Sequence, residues 1–317
     1  MTQRILITGC QGYLGRQLSA RLARHAEVFG IDIQDAQPEG ITYQKMDIRS
    51  AALSEFIGRH HISHVIHLAS IVQPSRDRQR DYDIDVNGTE NLLKACITNQ
   101  VAHLTVTSSG AAYGYHADNA EWLRESDPLR GNRHFSYSYH KRLVEELLAS
   151  YRVAYPELQQ LILRPGTVLG AETNNLITDL FRKDKLLAVK GSPSPFVFIW
   201  DQDVVDIITE GVSQNKSGQF NLAGDGALSV HQIANILGKD TRDLPAWLLK
   251  TALRIGKLLR LTQYGPEQLD FLRYRPVLAN YALKFDFGYI PKKTSLEVFE
   301  YYASQQGLIP ARGCQHD

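Results

Sequence analysis

The chain has 317 residues, 43% of them hydrophobic, with 35 Lys and Arg against 34 Asp and Glu for a formal net charge of +1. That length suffices for one large domain or two modest ones with a substantial core, and the near-zero charge excludes a global field that would favour nucleic acid or an acidic membrane. Three cysteines (Cys10, Cys96, Cys314) are too few and too scattered for a disulfide framework or a metal cluster, which fits a reducing cytosol.

The sequence runs straight into a predicted strand, RILITG, so no cleavable signal is expected. No apolar stretch is long enough to span a bilayer, and the expected location is cytoplasmic. The strand leads into ITGCQGYLG, with Gly9, Gly12 and Gly15 three residues apart. Backbone amides at a helix N-terminus attract anions, and missing Cβ atoms let a pyrophosphate approach. A turn alone needs one glycine or two, so three suggest a large ligand lying against the backbone. The ordinary reading is a tight strand-to-helix connection. Position raises the signal, because a strand precedes the loop, a helix follows it, and both come first in the chain.

The next strand, AEVFGID, ends on Asp32, where a carboxylate can accept hydrogen bonds from a ribose diol and repel a 2′-phosphate. Turn formation is the ordinary role of such a residue. Arg16, after the last glycine, softens that preference only secondarily. Asp47, in KMDIRS after a further strand, suits either an adenine amino group or a helix N-cap. Strands HVIHLAS, HLTVTSS and QLILRPG follow, alternating with helical segments GRQLSARLARH, SAALSEFIGRHH, GTENLLKACITNQ and SYHKRLVEELLASYRVAYP. This rhythm of short Ile/Val/Leu-rich runs and helices predicts an α/β fold, a doubly wound parallel Rossmann sheet. His60, His61, His64 and His67 have no acidic companion and are taken as structural, with no metal expected.

Ser108 and Ser109 end a strong β pattern, at the carboxyl edge where ligands bind such sheets. A hydroxyl there can hold a reacting oxygen. In YSYHK, Tyr137 and Lys141 lie one helical turn apart on one face. A tyrosine of pKa roughly 10 is a poor base at neutral pH, and a neighbouring ammonium stabilises its phenolate. Tyr139 lacks such a partner. In a helix, a Tyr–x–x–x–Lys pair is ordinarily a solvated face.

After Gly170 the rhythm breaks. NNLITDLFRKDKLLAVKGSPSPF reads as a helix and a turn, and the chain beyond Leu228 as mostly helical. The expected organisation is a Rossmann domain over 1–170 plus 198–224, with a small, mainly helical lobe over 171–197 plus 225–317. Within that lobe, residues 245–261 form a basic amphipathic pattern, with Lys250, Arg254 and Lys257 on one stripe beside Trp247, Leu248 and Ile255. It reads as a lobe helix with one solvated face, or as a surface for peripheral membrane contact or a cover for an apolar pocket.

The glycine loop, acidic strand end, serine and Tyr/Lys pair stand in that order. With VIHLAS (Val65–Ser70), DVNGTENLL (Asp85–Leu93), LRPGTVLG (Leu163–Gly170) and FNLAGDGALSVHQIA (Phe220–Ala234), the sequence resembles the extended short-chain dehydrogenase/reductase family, the NAD-dependent epimerase/dehydratase group, over most of its length. The resemblance implies a bound NAD and Ser–Tyr–Lys chemistry on a secondary alcohol or ketone. Ser109 would hold the substrate oxygen, Tyr137 would be the acid/base, and Lys141 would hold the nicotinamide ribose. Gly9, Gly12, Tyr13, Leu14 and Gly15 would meet the pyrophosphate. Asp32 with Ile33, Asp47 with Ile48, and Leu68, Ala69, Ser70 and Pro165 would line the cofactor groove. Asn87, Thr167, Arg273 and Arg275 would contact substrate.

Dehydratases of the family carry acidic residues just after the catalytic Ser or Thr. Gly110 and Ala111 stand there instead, which argues against a sugar 4,6-dehydratase. The pattern also departs from the family at Asp85, where Asn is usual, and at Trp200, where His is usual. The expected activity is nucleotide-sugar C4 epimerisation of the UDP-glucose 4-epimerase type. A 3β-hydroxysteroid-like or keto-lipid dehydrogenase/reductase is the alternative enzyme, and a non-catalytic NAD-binding regulator the alternative of another class. A homodimer through the helices around Glu90–Thr98 and Tyr137–Tyr151 is implied by the resemblance.

Overall fold

The structure, a computed structural model, describes residues 2–36, 38–73, 75–259, 265–266 and 268–310. Cys314, the lobe's expected end at 311–317 and the end of the expected basic helix at 260–261 lie outside them.

In chain order the elements open with β1 (Arg4–Thr8), α1 (Tyr13–Leu22), β2 (Glu27–Asp32), β3 (Thr42–Lys45), α2 (Ala52–Arg59) and β4 (His64–His67). There follow α3 (Arg78–Tyr82), a π-helical turn (Asp83–Asn87), α4 (Gly88–Thr98), β5 (His103–Thr107), α5 (Ser136–Ala154) and β6 (Gln159–Pro165). Then come β7 (Thr167–Leu169), α6 (Leu176–Phe181), β8 (Lys185–Val189), β9 (Phe198–Trp200), α7 (Asp201–Ser213) and β10 (Gly218–Leu222). The chain closes with α8 (Val230–Ile236), β11 (Asp240–Leu244), α9 (Ala246–Leu258), α10 (Gln268–Arg273) and α11 (Ser295–Gln305).

Seven strands form one sheet in the order β10-β6-β5-β4-β1-β2-β3. β1 pairs in parallel with both β2 and β4, placing Thr8 opposite Ile31 on one side and His67 on the other. Ile5, Leu6 and Ile7 are fully buried, as strands covered on both faces require. The chain order reverses between β1 and β4, so the loops after these two strands open on the switch point, where ligands bind open α/β sheets. One core packs Leu6, Phe29 and Ile31 of the sheet against Leu53, Phe56, Leu92 and Leu148 of α2, α4 and α5.

The chain divides into two compact units, 1–112 with 129–165 and 202–220, and 113–128 with 166–201 and 221–317. These bounds differ from 170, 197 and 224. The difference has a local origin: β7 pairs in parallel with β9 in a ladder of their own, which takes 166–201 as one piece. Residues 113–128 join the second unit through the Leu123–Leu278 bridge and the Tyr113 hydroxyl, which donates to Asn221 Oδ1 at 2.9 Å. The core of that unit centres on Phe181, Phe196, Phe198, Phe299 and Tyr302.

The second unit is mainly helical, as expected, but holds two strands where the sequence pattern pointed to helix. The segment read as a single helix after Gly170 is α6 followed by β8, and β8 pairs with β11 inside the stretch expected to be helical. DTRDL has no apolar alternation, and only its partner strand makes it β.

Candidate active site

Gly9 leaves β1 with φ +72°, a left-handed conformation open to glycine at little cost. Its N–H donates to Ile31 O at 2.9 Å, and Gly12 N–H donates to Gly9 O at 3.0 Å. A Cβ on Gly9 would stand 2.8 Å from Ala69 N, and one on Gly15 only 2.3 Å from Gly9 O. The protein's own backbone therefore requires two of the three glycines, which narrows the expectation drawn from their number. Gly12 differs. It is exposed, and a Cβ there would meet only Gly9 O, at 3.2 Å. It is the N-cap of α1 with no side-chain cap, so the first-turn amides of Tyr13 and Leu14 belong to an uncapped helix end suited to an anion.

Asp32, at the end of β2, is buried and faces this loop. Its Oδ2 accepts Gln11 N–H at 3.0 Å and its Oδ1 accepts Gln34 N–H at 3.2 Å. Lone pairs remain on both oxygens for a diol. Arg16 turns its guanidinium onto Gln11 O at 2.6 Å, so it braces the loop. Ile33 is exposed and Ile48 buried. Asp47 is not a helix N-cap: α2 begins at Ala52, with Ala51 as its cap. Its carboxylate accepts from Arg49 N–H at 2.9 Å and from the Arg49 guanidinium at 2.7 and 3.0 Å. Hydrogen bonding by Arg49 holds it below the usual carboxylate range. Arg49 also pairs with Asp83, which accepts from the Asn87 amide at 2.8 Å. Asn87 thus joins the Asp47 cluster on the surface.

The loop after β4 carries Leu68, Ala69 and Ser70. Leu68 N–H donates to Thr8 O at 3.1 Å. Ser70 Oγ at 3.1 Å and Ile71 N–H at 2.8 Å both donate to Asp85 Oδ1, while His140 Nδ1 lies 2.9 Å from Asp85 Oδ2. Asp85 sits in the π-helical turn and His140 on α5, both buried, so this pair ties the loop to the helix bearing Tyr137 and Lys141. Beneath it, Thr89 Oγ donates to Asp85 O at 2.5 Å and must therefore accept from His67 Nε2 at 3.0 Å. His67 Nδ1 then accepts from Thr8 Oγ at 2.8 Å. The chain suits a neutral imidazole. Burial, reinforced by the nearby Lys141 ammonium, pushes the His67 pKa down to about 3.

On α5, Lys141 stands over the Tyr137 ring, 5.6 Å from its centroid, and donates to Thr107 O at 2.9 Å. Lys141 is buried and Tyr137 half-buried. The structure thus brings together the pair expected from spacing. Tyr139 instead faces Arg142, at 5.2 Å. Ser109 lies just past β5, buried, its Oγ accepting Ala111 N–H at 3.1 Å. Its neighbour Ser108 has a structural task, donating to Glu145, which grips Arg164 of β6 through two carboxylate oxygens at 2.6–3.0 Å. Ser138 Oγ donates to Ala111 O at 2.7 Å and pins the start of α5 to the segment after Ser109. Pro165 closes β6 in this same unit. Sequence reasoning missed Ser138, the Glu145–Arg164 pair and the role of His140. Only Asp85 gave a signal, as a departure from the family pattern.

Three expected substrate residues and Trp200 belong to the second unit. Thr167 N–H donates to Val197 O at 3.0 Å. The Arg275 guanidinium lies 3.8 Å from the Phe196 centroid and donates to Ser194 O at 3.0 Å. Burial pulls its pKa down to about 9. Arg273 stands 4.6 Å over Tyr274, and its carbonyl accepts from Ser192. Trp200, where His was usual, packs against Tyr301 at 5.8 Å and Lys293 at 4.7 Å. Among the described residues no group of three or more His, Cys, Asp or Glu is placed to hold a metal, and no helix is long and apolar enough to cross a membrane.

The family model described as NAD dependent epimerase/dehydratase matches residues 5–222. A GDP-6-deoxy-D-talose 4-dehydrogenase of Aggregatibacter actinomycetemcomitans is 26% identical over 74% of this chain and 79% of that one. Short-chain dehydrogenase/reductase family 42E member 1 of Danio rerio is 33% identical over 70% of this chain and 63% of that one. In fold the chain is similar to the UDP-glucose 4-epimerase of Thermotoga maritima, with TM-score 0.74 and 18% identity over 96% of this chain and 99% of that one. NAD is the cofactor of the family, and the first-turn amides of α1 after Gly12 and the Asp32 carboxylate have the donor and acceptor chemistry for its pyrophosphate and ribose. The match spans both strands of the switch point and the helix bearing the Tyr/Lys pair, and on that ground the chain belongs to the NAD-dependent epimerase/dehydratase group of the extended short-chain dehydrogenases/reductases.

Proposed function

We propose that this oxidoreductase acts on the C4 position of a nucleotide sugar, as a 4-epimerase. The observation that carries the proposal is the Lys141 ammonium over the Tyr137 ring, fixed by its bond to Thr107 O beside the end of β5. Bound NAD supplies the hydride acceptor and donor. Tyr137 Oη takes the proton from the sugar hydroxyl and returns it, and Ser109 Oγ holds the reacting oxygen. Lys141 holds the nicotinamide ribose. The amides after Gly12 take the pyrophosphate, Asp32 the adenosine ribose, and Asp47 the adenine amino group through lone pairs that Arg49 leaves open. Ile33, Ile48, Leu68, Ala69, Ser70 and Pro165 complete the groove.

Arg275 is a desolvated cation held by a serine and two aromatic rings, with Phe271 at 5.1 Å as the second ring. An anion would offset that desolvation, which supports a nucleotide diphosphate bound with Arg273 and Thr167 of the same unit. The GDP-sugar relative, a 4-dehydrogenase by name, points to the same carbon. The working form is a cytoplasmic homodimer through α4 and α5, where Tyr151 and Tyr155 pair at 5.6 Å on the helix end.

A second reading, a 3β-hydroxysteroid-like or keto-lipid dehydrogenase, draws on the exposed Trp247, Ile255 and Leu258 of α9. A non-catalytic NAD-binding regulator would have no use for the paired Tyr137 and Lys141. A panel of UDP- and GDP-sugars and apolar ketones, followed at the NADH absorbance band and by product analysis, separates the three. Epimer formation without net absorbance change supports the proposal. Stoichiometric NADH formation with an apolar alcohol gives the second reading, and NAD binding without turnover of any substrate gives the regulator.

A further inference from the structure

α9 is a helix of 13 residues in which no residue is fully buried. Ala246, Leu249, Leu253 and Gly256 are its partly buried positions, spaced three and four apart, and so form its inward face. A lobe helix covered on that side should be polar on the other. Here the outward side is apolar: Trp247 is 68% exposed and Leu258 82%, with Leu248, Ile255 and Leu259 also exposed. Next to this apolar sector run Lys250, Arg254 and Lys257, spaced four and three apart and all exposed. No Asp or Glu occurs between Pro245 and Leu259.

We infer that α9 docks on an anionic lipid surface, lying in the plane of the headgroups with Trp247, Ile255 and Leu258 inserted and Lys250 and Arg254 against lipid phosphates. The chemistry selects this occupant. A helix with a large apolar sector, a tryptophan and a cationic flank is the form of an interfacial anchor. At about 1.5 Å per residue it is some 20 Å long, too short to span a bilayer and long enough to lie in one. A second copy of the same face would set cations against cations, with no carboxylate on the helix to pair them. The inference stands apart from the reading of the C4 reaction.

The test uses the full chain in flotation with vesicles of phosphatidylcholine alone and of phosphatidylcholine mixed with phosphatidylglycerol. Binding is expected only to the mixed vesicles and should weaken with salt. Each basic residue near such a surface contributes about fivefold in affinity, so Lys250→Gln/Arg254→Gln should bind about 25-fold more weakly. Leu258→Ser should also weaken binding, with the thermal midpoint of either variant as the check on folding. On the unaltered chain, acyl chains carrying bromine should quench the fluorescence lost in Trp247→Phe, which places Trp247 within the bilayer. No binding to either vesicle, or binding that none of these substitutions changes, overturns the inference. A Leu258→Ser variant that turns a dimer into a monomer in solution overturns it as well, because the apolar sector is then an interface between copies.

Discussion

Removing Glu145 tests how the site helix is held. Glu145 and Arg164 side chains are only 3% and 4% exposed, and Glu145 also accepts from Ser108. In Glu145→Ala the guanidinium stays buried without its carboxylate, a change that costs about 3–5 kcal/mol, and the lost serine bond adds about 1. Allowing for partial relaxation, the expected loss is about 4 kcal/mol, a large share of the roughly 5–15 kcal/mol that stabilises a folded domain. Urea unfolding followed by far-UV circular dichroism measures it. Because α5 also bears Tyr137 and Lys141, turnover should fall where the protein remains folded. The control is Glu145→Leu/Arg164→Met. Exchanging the ion pair for apolar side chains removes the cost of burying charge together with the pairing, so this double variant, which still loses the Ser108 bond, should lie within about 1 kcal/mol of the parent. A loss under about 1 kcal/mol for Glu145→Ala, or a double variant less stable than the single one, would refute the reasoning.

Tyr137→Phe should lower turnover by about 100-fold or more while leaving NAD affinity nearly unchanged, as read by kinetics and cofactor titration; a fully active variant removes Tyr137 from the chemistry. Gly15→Ala places a Cβ 2.3 Å from Gly9 O and should cost about 1–3 kcal/mol by thermal unfolding. Gly12→Ala should fold normally and show its effect in NAD affinity; equal stability losses in the two would contradict the division of roles between these glycines. Asp85→Ala removes the acceptor shared by Ser70, Ile71 and His140 and should weaken NAD binding, whereas Asp85→Asn keeps an acceptor for the loop and should bind NAD better than Asp85→Ala. Burial pushes the His67 pKa from the ordinary 6.5 of an exposed imidazole down to about 3 in the folded chain. Below pH 6.5 the unfolded chain binds a proton that the folded one refuses, so this contribution is complete above that pH and is lost toward pH 3, at about 1.4 kcal/mol per unit. An imidazole resonance of His67 that titrates near 6.5 by NMR would contradict this.

Much of the fold was legible because parallel strands buried on both faces carry continuous apolar runs, as in Arg4–Thr8 and Gln159–Pro165. The β8–β11 ladder was not. Its strand Asp240–Leu244 is mostly polar, and its pairing comes from a neighbour more than fifty residues away. In the site, the Tyr137–Lys141 contact follows from helical spacing alone, since both lie on one helix one turn apart. The Asp85–His140 pair joins residues 55 apart in sequence, and no local pattern announces it.

The sequence by itself determined the alternation of strands and helices up to Pro165, the glycine turn and the Tyr/Lys face, because each depends on residues within one or two turns of chain. Tertiary structure alone decided why Gly9 and Gly15 cannot carry side chains, that Ser108 braces α5 while Ser109 stands apart from that brace, and that the apolar sector of α9 faces outward. These depend on which distant backbone or side chain arrives within a few ångströms, and that distance is set by packing rather than by neighbours in the chain.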